Sequence, residues 1–192
     1  MQNIKLYGIF LLGFLAAIVA TICDGIHVYT QTLSYPYPLI FNQAWWVFPG
    51  FFLAFISMAI AYLILSHLLK NTTPIKLSSQ YGTYGELVET LTTFAIIYIL
   101  SGFGNFHPTA LCIIFYSTFA LRFLFSYERY WLLIIAILLA MGGVLFEGLL
   151  AEFGQVKYRL SDIFNVPYWL GGVYMHGAFA LRSGMRALVY SR

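Results

Sequence analysis

Charge is what this sequence has least of. Asp, Glu, Lys and Arg make up 9% of its 192 residues, where a soluble globular domain carries about 25%. The formal net charge is +3, and no basic run exists to track a phosphate backbone, which excludes a nucleic-acid partner. Cysteine is scarce too. Cys23 and Cys112 form neither a spaced framework nor a C-x-x-C pair, so both are expected as free thiols. The signatures of soluble catalysis are missing as well: no P-loop, no G-x-S-x-G, no H-E-x-x-H and no rhomboid-like serine with a partner histidine. The glycines of Ser101–Asn105 lack both the preceding strand and the spacing of a dinucleotide site. No internal repeat, low-complexity segment or second domain is apparent.

What fills the space is apolar. The chain is 61% hydrophobic, with mean hydropathy +0.82. A water-soluble fold of this length cannot bury that much apolar surface, so most of it must face lipid or other helices. Six segments reach about the length a bilayer requires, at about 6–28, 44–69, 84–103, 108–125, 130–150 and 163–181. The connections are short, so sequential helices are expected as antiparallel neighbours in one all-α domain spanning residues 1–192. The first segment is too long for a signal-peptide core and lacks a cleavage site, and Ile22 before Cys23 excludes a lipoprotein signal. Lys5, Lys70, Lys76, Arg122, Arg129, Arg182, Arg186 and Arg192 flank the helices on one side, against only Lys157 and Arg159 on the other. That asymmetry predicts both termini in the cytoplasm and leaves the sequon Asn71-Thr72-Thr73 unglycosylated.

Ionisable groups inside spans are functional candidates by default, because an unpaired one costs a few kcal/mol or more. Asp24 and His27 stand one turn apart near the outer end of the first helix, and that spacing allows them to pair. With His107 and Glu147, also near the outer face, they have the residue types of a membrane-embedded, metal-dependent hydrolase, although no two share a local ligand motif. The bland alternative is that all four are interfacial or helix-packing groups. Glu86 and Glu89 begin the third helix, where the macrodipole favours acids. Arg122 is expected to snorkel to the cytoplasmic interface, near Glu128 and Arg129 of the following turn. His176, midway along the sixth helix, has no acid within a turn. It either bonds across the bundle or lines a polar pocket, and Gly171, Gly172 and Gly177 around it allow close packing or leave room for a ligand.

Three motifs bear on identity. "AWWV" (Ala44 to Val47) with Pro49 opens the second helix, "FSYERY" follows the fourth, and "YWLGGVYMHGAFALR" makes up most of the sixth. Together they resemble the Insig (insulin-induced gene) family, which carries a similar Trp-Trp-Val-Pro-Pro stretch, an acidic-Arg turn and a Gly-Gly-Val helix at these places. The resemblance runs through nearly the whole chain. It implies a non-enzymatic six-helix membrane protein that binds lipid between its helices and holds back a membrane-protein partner. By residue match Glu128, with Arg129 beside it, takes the place of the acid needed for that partner. The short N-terminal tail, the minimal loops and Glu in place of Asp at position 128 depart from the animal pattern and point to a prokaryotic-type member in the cell membrane. There a glycerolipid such as diacylglycerol, or a sterol-like hopanoid, is the expected ligand, with no cofactor and no metal. Gln43, Trp45, Trp46, Gly171, Gly172 and His176 are the candidate ligand-binding residues. Adjacent helical residues point about 100° apart, so one of the two tryptophans is expected at the interface and the other inward. Glycines of the sixth helix could also serve a homo-oligomer contact. A small receptor or transporter like the tryptophan-rich TspO proteins is the remaining alternative, in tension with an even helix count.

Overall fold

In the computed structural model, residues 4–69 and 82–190 are described. Lys70, Lys76, Arg192 and the sequon at Asn71 lie outside them. Helices α1 (Leu6–Tyr29), α2 (Val47–Leu69), α3 (Tyr84–Phe103), α4 (Pro108–Leu124), α5 (Arg129–Glu152) and α6 (Leu170–Gly184) follow in order. The last runs on into a π-helical turn, Met185–Val189. Four of them, α1, α2, α3 and α5, are long and apolar enough to cross a membrane by themselves, and α4 is a shorter apolar helix. The protein is an all-α membrane bundle, its only ladder a two-residue antiparallel pair of β1 (Leu33–Ser34) with β2 (Lys157–Tyr158) among the described residues.

Local chemistry sets the helix starts. Thr83 caps α3 by accepting from the Glu86 amide at 3.1 Å, a Thr-x-x-Glu start. Pro108 opens α4 at a position whose amide would be unsatisfied anyway. The sixth helix corrects the expectation of a start near residue 163. Phe164 and Asn165 hold left-handed φ of 49° and 64°, Pro167 follows, and residues 163–166 close on themselves through the Ile163↔Val166 bridge. Helix begins only at Leu170.

The fold is organised around α6, which packs on α3, α4 and α5, while α1 packs on α2 and α3. Two apolar clusters fill the interior. One surrounds Trp131, Leu132, Ile135, Phe179 and Met185, and the other Trp169, Phe115, Leu111 and Val166. The first and last described residues meet: the Lys5 amide donates to the Val189 carbonyl at 2.8 Å, and Ile4 bridges Tyr190. Arg182 donates to the Tyr127 carbonyl at 2.9 Å, and Arg186 pairs with Glu128 at 3.7 Å. Residues 4–5, residues 189–190 and the α4–α5 turn therefore share one arginine-rich end of the bundle.

An internal repeat is present, contrary to the expectation from sequence. Its offset is 123 positions, the distance from Asp24 to Glu147. α1 and α5 are each 24 residues long and begin and end at matching positions, and Val47 and Leu170, which begin α2 and α6, match as well. Gln31 and Gly154 both take positive φ, as do the pairs Phe41-Asn42 and Phe164-Asn165. The turn hydrogen bonds coincide one for one: Thr32 to His27 with Gln155 to Leu150, Gln43 to Ile40 with Val166 to Ile163, Val47 to Ala44 with Leu170 to Pro167. Gly25, Tyr35, Ile40, Phe41, Asn42 and Trp46 recur as Gly148, Tyr158, Ile163, Phe164, Asn165 and Trp169. Ser34 and Lys157 are counterparts, and they pair with each other in the β1–β2 ladder, as a two-fold axis through that ladder requires. The hairpins α1–α2 and α5–α6 are thus parallel copies of one unit, joined at the end opposite the arginines. α3 and α4 lie outside the repeat.

Candidate functional site

The repeat brings two acids together where the hairpins meet. Asp24 is 2% exposed and accepts from the Tyr35 hydroxyl at 2.9 Å and from Gln43 Nε2 at 2.7 Å. Gln43 also donates to the Thr21 carbonyl at 2.9 Å, which fixes its amide. Glu147 accepts from the Tyr158 hydroxyl at 3.1 Å and from the Tyr174 hydroxyl at 2.9 Å. Tyr35 and Tyr158 are repeat counterparts, each eleven residues beyond its acid. Gln43 and Tyr174 are not, so each acid has one donor common to both hairpins and one of its own. Burial first, and then the nearby Asp24 and Glu147, push the Tyr35 phenol above its usual range. Burial and then Glu147 do the same to Tyr158. Both phenols are therefore held as donors. Trp46 packs edge-on against Tyr35, with centroids 5.6 Å apart.

The expected site residues divide between places. Gln43 is buried in the acid–tyrosine cluster, Trp46 is half-buried beside it, and Trp45 is 69% exposed, so one tryptophan does turn inward and the other outward. Gly171 and Gly172 are packing positions. A Cβ on Gly171 would lie 3.2 Å from the Tyr116 hydroxyl, and one on Gly172 3.0 Å from the Phe115 Cβ, so their absence of side chain lets α6 approach α4. His176 is fully buried and bonds across the bundle, from Nε2 to the Phe115 carbonyl at 3.0 Å and through Nδ1 to Arg122 at 3.2 Å. Arg122 thus turns toward α6 and Glu89 rather than toward Glu128.

Asp24 and His27 do not rely on each other. His27 Nε2 lies 2.8 Å from the Ser101 hydroxyl and 3.2 Å from the Tyr98 carbonyl, and its ring packs on Tyr98 and Trp169. His107 is exposed at the N-cap of α4. Among the described residues no three His, Cys, Asp or Glu side chains are grouped to hold a metal ion, so the hydrolase constellation is not assembled. Cys23 and Cys112 are free thiols. Glu128 faces inward, its side chain 6% exposed against Arg186, whereas Arg129 is exposed and donates to the Ser126 carbonyl at 3.1 Å. Glu86 does more than complement a helix dipole: it accepts from the Tyr127 hydroxyl at 2.6 Å.

Sequence reasoning missed Tyr35, Tyr158 and Tyr174. The usable signal was the recurrence of an acid, a tyrosine eleven residues later, and Ile-Phe-Asn five residues beyond that.

No family model matches the chain, and no curated protein sequence does. Solved structures do match. The crystal structure of MvINS, a mycobacterial Insig homolog from Mycobacterium vanbaalenii, aligns over 97% of this chain and 96% of its own, with TM-score 0.79 at 16% identity. A cross-linked trimer of MvINS aligns over 96% of both chains, with TM-score 0.77 at 17% identity. An identity that low with so complete an alignment is a statement about architecture, and it agrees with the helix count and motif positions above. The chain is an Insig-like membrane protein in fold.

Proposed function

We propose that this is a non-enzymatic lipid-binding protein of a prokaryotic cell membrane, with both termini cytoplasmic, that holds a glycerolipid or a sterol-like molecule within the bundle. The observation that carries the reading is the acid–tyrosine cluster. Two carboxyls, three phenols and the Gln43 amide converge inside an otherwise apolar bundle, where the two like hairpins meet. Polar groups at membrane depth mark binding paths, and in membrane proteins built from repeats ligands sit at the repeat interface. Carboxylate and phenol oxygens suit a hydroxyl-bearing headgroup, and the half-buried Trp46 beside Tyr35 gives an apolar wall for the adjoining chain. Gln43 and Trp46 belong to this wall. Gly171, Gly172 and His176 act on it by setting how closely α6 lies against α4. Arg129, exposed on the α4–α5 turn, is the residue for a membrane-protein partner, with Glu128 shaping the turn from beneath. Assembly as a homo-oligomer follows the trimeric form of MvINS.

Mass spectrometry of lipid retained after gentle extraction tests the reading, followed by titration of delipidated protein with diacylglycerol and with a hopanoid. One saturable class of glycerolipid or sterol-like ligand, weakened by Gln43→Leu, is the expected result. Absence of both retained lipid and saturable binding would dismiss it.

A further inference from the structure

We propose that Arg122 anchors the phosphate of an anionic glycerophospholipid, at the arginine-rich end of the bundle between α3, α4 and α6. The inference rests on the reading that this protein holds membrane lipid, and adds a second contact at the end of the bundle away from the acid–tyrosine cluster.

The geometry fixes the protonation of the arginine's inner partner. The Phe115 carbonyl can only accept, so His176 Nε2, 3.0 Å away, carries the hydrogen. Arginine can only donate, so His176 Nδ1, 3.2 Å from Arg122 Nη1, is the bare nitrogen. His176 is thus a neutral imidazole that orients the guanidinium and leaves its charge intact. The Phe179 ring, 4.1 Å from the guanidinium carbon, fixes its plane. Phe119 and Phe179 enclose the imidazole in turn, so this cation is held rigidly on a side of the bundle made of aromatic rings.

Its balancing charge is weak. The nearest acid is Glu89, at 3.9 Å from Nη2 on a side chain 68% exposed. That distance is an ion pair without a hydrogen bond, and an exposed pair contributes about 0–1 kcal/mol. The other acid of α3 near this end, Glu86, is engaged by Tyr127, Ser183 and Arg182. From α6, Arg182 adds positive potential rather than relief. Arg122 itself sits in the last turn of α4, where the helix dipole favours a cation. Its side chain is 18% exposed, enough for an outer edge to reach a group at the bilayer boundary. A planar fork held from behind, with spare donors in front, is the geometry that takes a phosphate bidentately. Glu89 then competes with the phosphate for the same edge.

The test is native mass spectrometry of the full-length protein in detergent. Phosphatidylglycerol, phosphatidylcholine and diacylglycerol of identical acyl chains are supplied in equal amounts, with and without millimolar inorganic phosphate. Phosphatidylglycerol adducts should exceed phosphatidylcholine adducts by about tenfold, because the choline cation opposes Arg122 and Arg182 beside the shared phosphate contact. Diacylglycerol, the candidate for the acid–tyrosine cluster, is the control whose retention Arg122→Gln leaves unchanged. Arg122→Gln should abolish that excess, and Glu89→Gln, which removes the competitor, should raise it about threefold. A purely structural Arg122 predicts no gain from Glu89→Gln, and that variant keeps the test available if Arg122→Gln fails to fold. Equal retention of phosphatidylglycerol and phosphatidylcholine in wild type and both variants overturns the proposal while leaving lipid binding standing. Loss of the phosphatidylglycerol excess on adding inorganic phosphate reassigns the site to soluble anions and overturns it as a lipid site. Retention of no lipid of any class would instead remove the reading on which it rests.

Discussion

Replacing Tyr35 or Tyr158 with Phe removes one hydroxyl from the acid–tyrosine cluster and leaves the ring in place, so neither change opens a cavity. Each hydroxyl donates to a carboxyl, Tyr35 to Asp24 at 2.9 Å and Tyr158 to Glu147 at 3.1 Å. A hydrogen bond to a charged group contributes about 1.5–3 kcal/mol in soluble proteins, whereas bonds between membrane helices average about 0.6 and reach about 1.7 kcal/mol. The carboxyl acceptors place these two at the upper part of the membrane range, about 1–2 kcal/mol each. For a chain of this length that corresponds to a fall in Tm of about 2–8 °C. Thermal unfolding of detergent-solubilised protein gives the number, and a double-mutant cycle assigns it. In an Asp24→Leu background, Tyr35→Phe should cost almost nothing, because its acceptor is gone. The repeat adds a second requirement: the two substitutions should cost the same to within about 0.5 kcal/mol, the error of such comparisons. If Tyr35→Phe costs as much without Asp24 as with it, the bond is not what stabilises the cluster. If one substitution is neutral and its counterpart severe, the equivalence of the two hairpins fails in energetics.

Other consequences are checked as simply. A Cβ on Gly8 would collide with the backbone carbonyl of Leu188, while one on Gly142 would meet nothing within 4 Å. Gly8→Ala should therefore destabilise by about 1–3 kcal/mol, and Gly142→Ala should stabilise by about 0.5–1 kcal/mol, in paired thermal scans. Glu128→Gln removes the buried carboxylate that faces Arg186 at 3.7 Å, the two side chains being 6% and 5% exposed, and should cost about 3 kcal/mol by the same assay. Since the folded-state phenols of Tyr35 and Tyr158 are raised above their ordinary value near 10, the stability tied to their protonation is complete below about pH 10. It is lost as pH rises further toward the folded-state value. Absorbance titration at alkaline pH should show these two phenols un-ionised in the native protein and released with unfolding; their ionisation at about pH 10 without unfolding would contradict the burial. Reporter fusions at either terminus should both report a cytoplasmic location, and a split result would reverse the charge-based orientation.

Much of the architecture is legible in the letters, because hydrocarbon thickness and the distribution of arginine act on every residue of a span. The five segments of α1 to α5 fall within a few residues of their expected limits. The start of α6 was not legible, since Ile163 to Trp169 is as apolar as a helix and its left-handed Phe164 and Asn165 leave no trace in hydropathy. For the site, apolar context singled out Asp24, Glu147 and Gln43, yet not their association. Asp24 and His27 looked like partners by spacing, and each instead reaches a residue far along the chain, Gln43 and Ser101 respectively. The three tyrosines carry no mark of their own in the sequence, because a phenol at an interface and a phenol on a buried acid are the same letter. The repeat escaped notice for a related reason: under a common demand for apolarity the helices share only scattered identities, such as Tyr7 with Tyr130 and Ala17 with Ala140, and the one run of identity is Ile40-Phe41-Asn42 with Ile163-Phe164-Asn165.

The closing of the β1–β2 ladder on its own counterpart, Ser34 against Lys157, has a bearing on how this molecule is to be compared with itself. Two hairpins of like backbone in one chain carry their own comparison: each position of one shows which side chain the same backbone accepts in the other. Where the copies agree, at Tyr35 and Tyr158 or Trp46 and Trp169, the shared backbone has restrained both. Where they part, at Gln43 against Val166 or Tyr174 against Phe51, each acid has a donor that the other hairpin lacks. Those asymmetric positions lie on the same acids that the symmetric ones hold, so the division of labour between the two halves is concentrated in a single cluster of side chains.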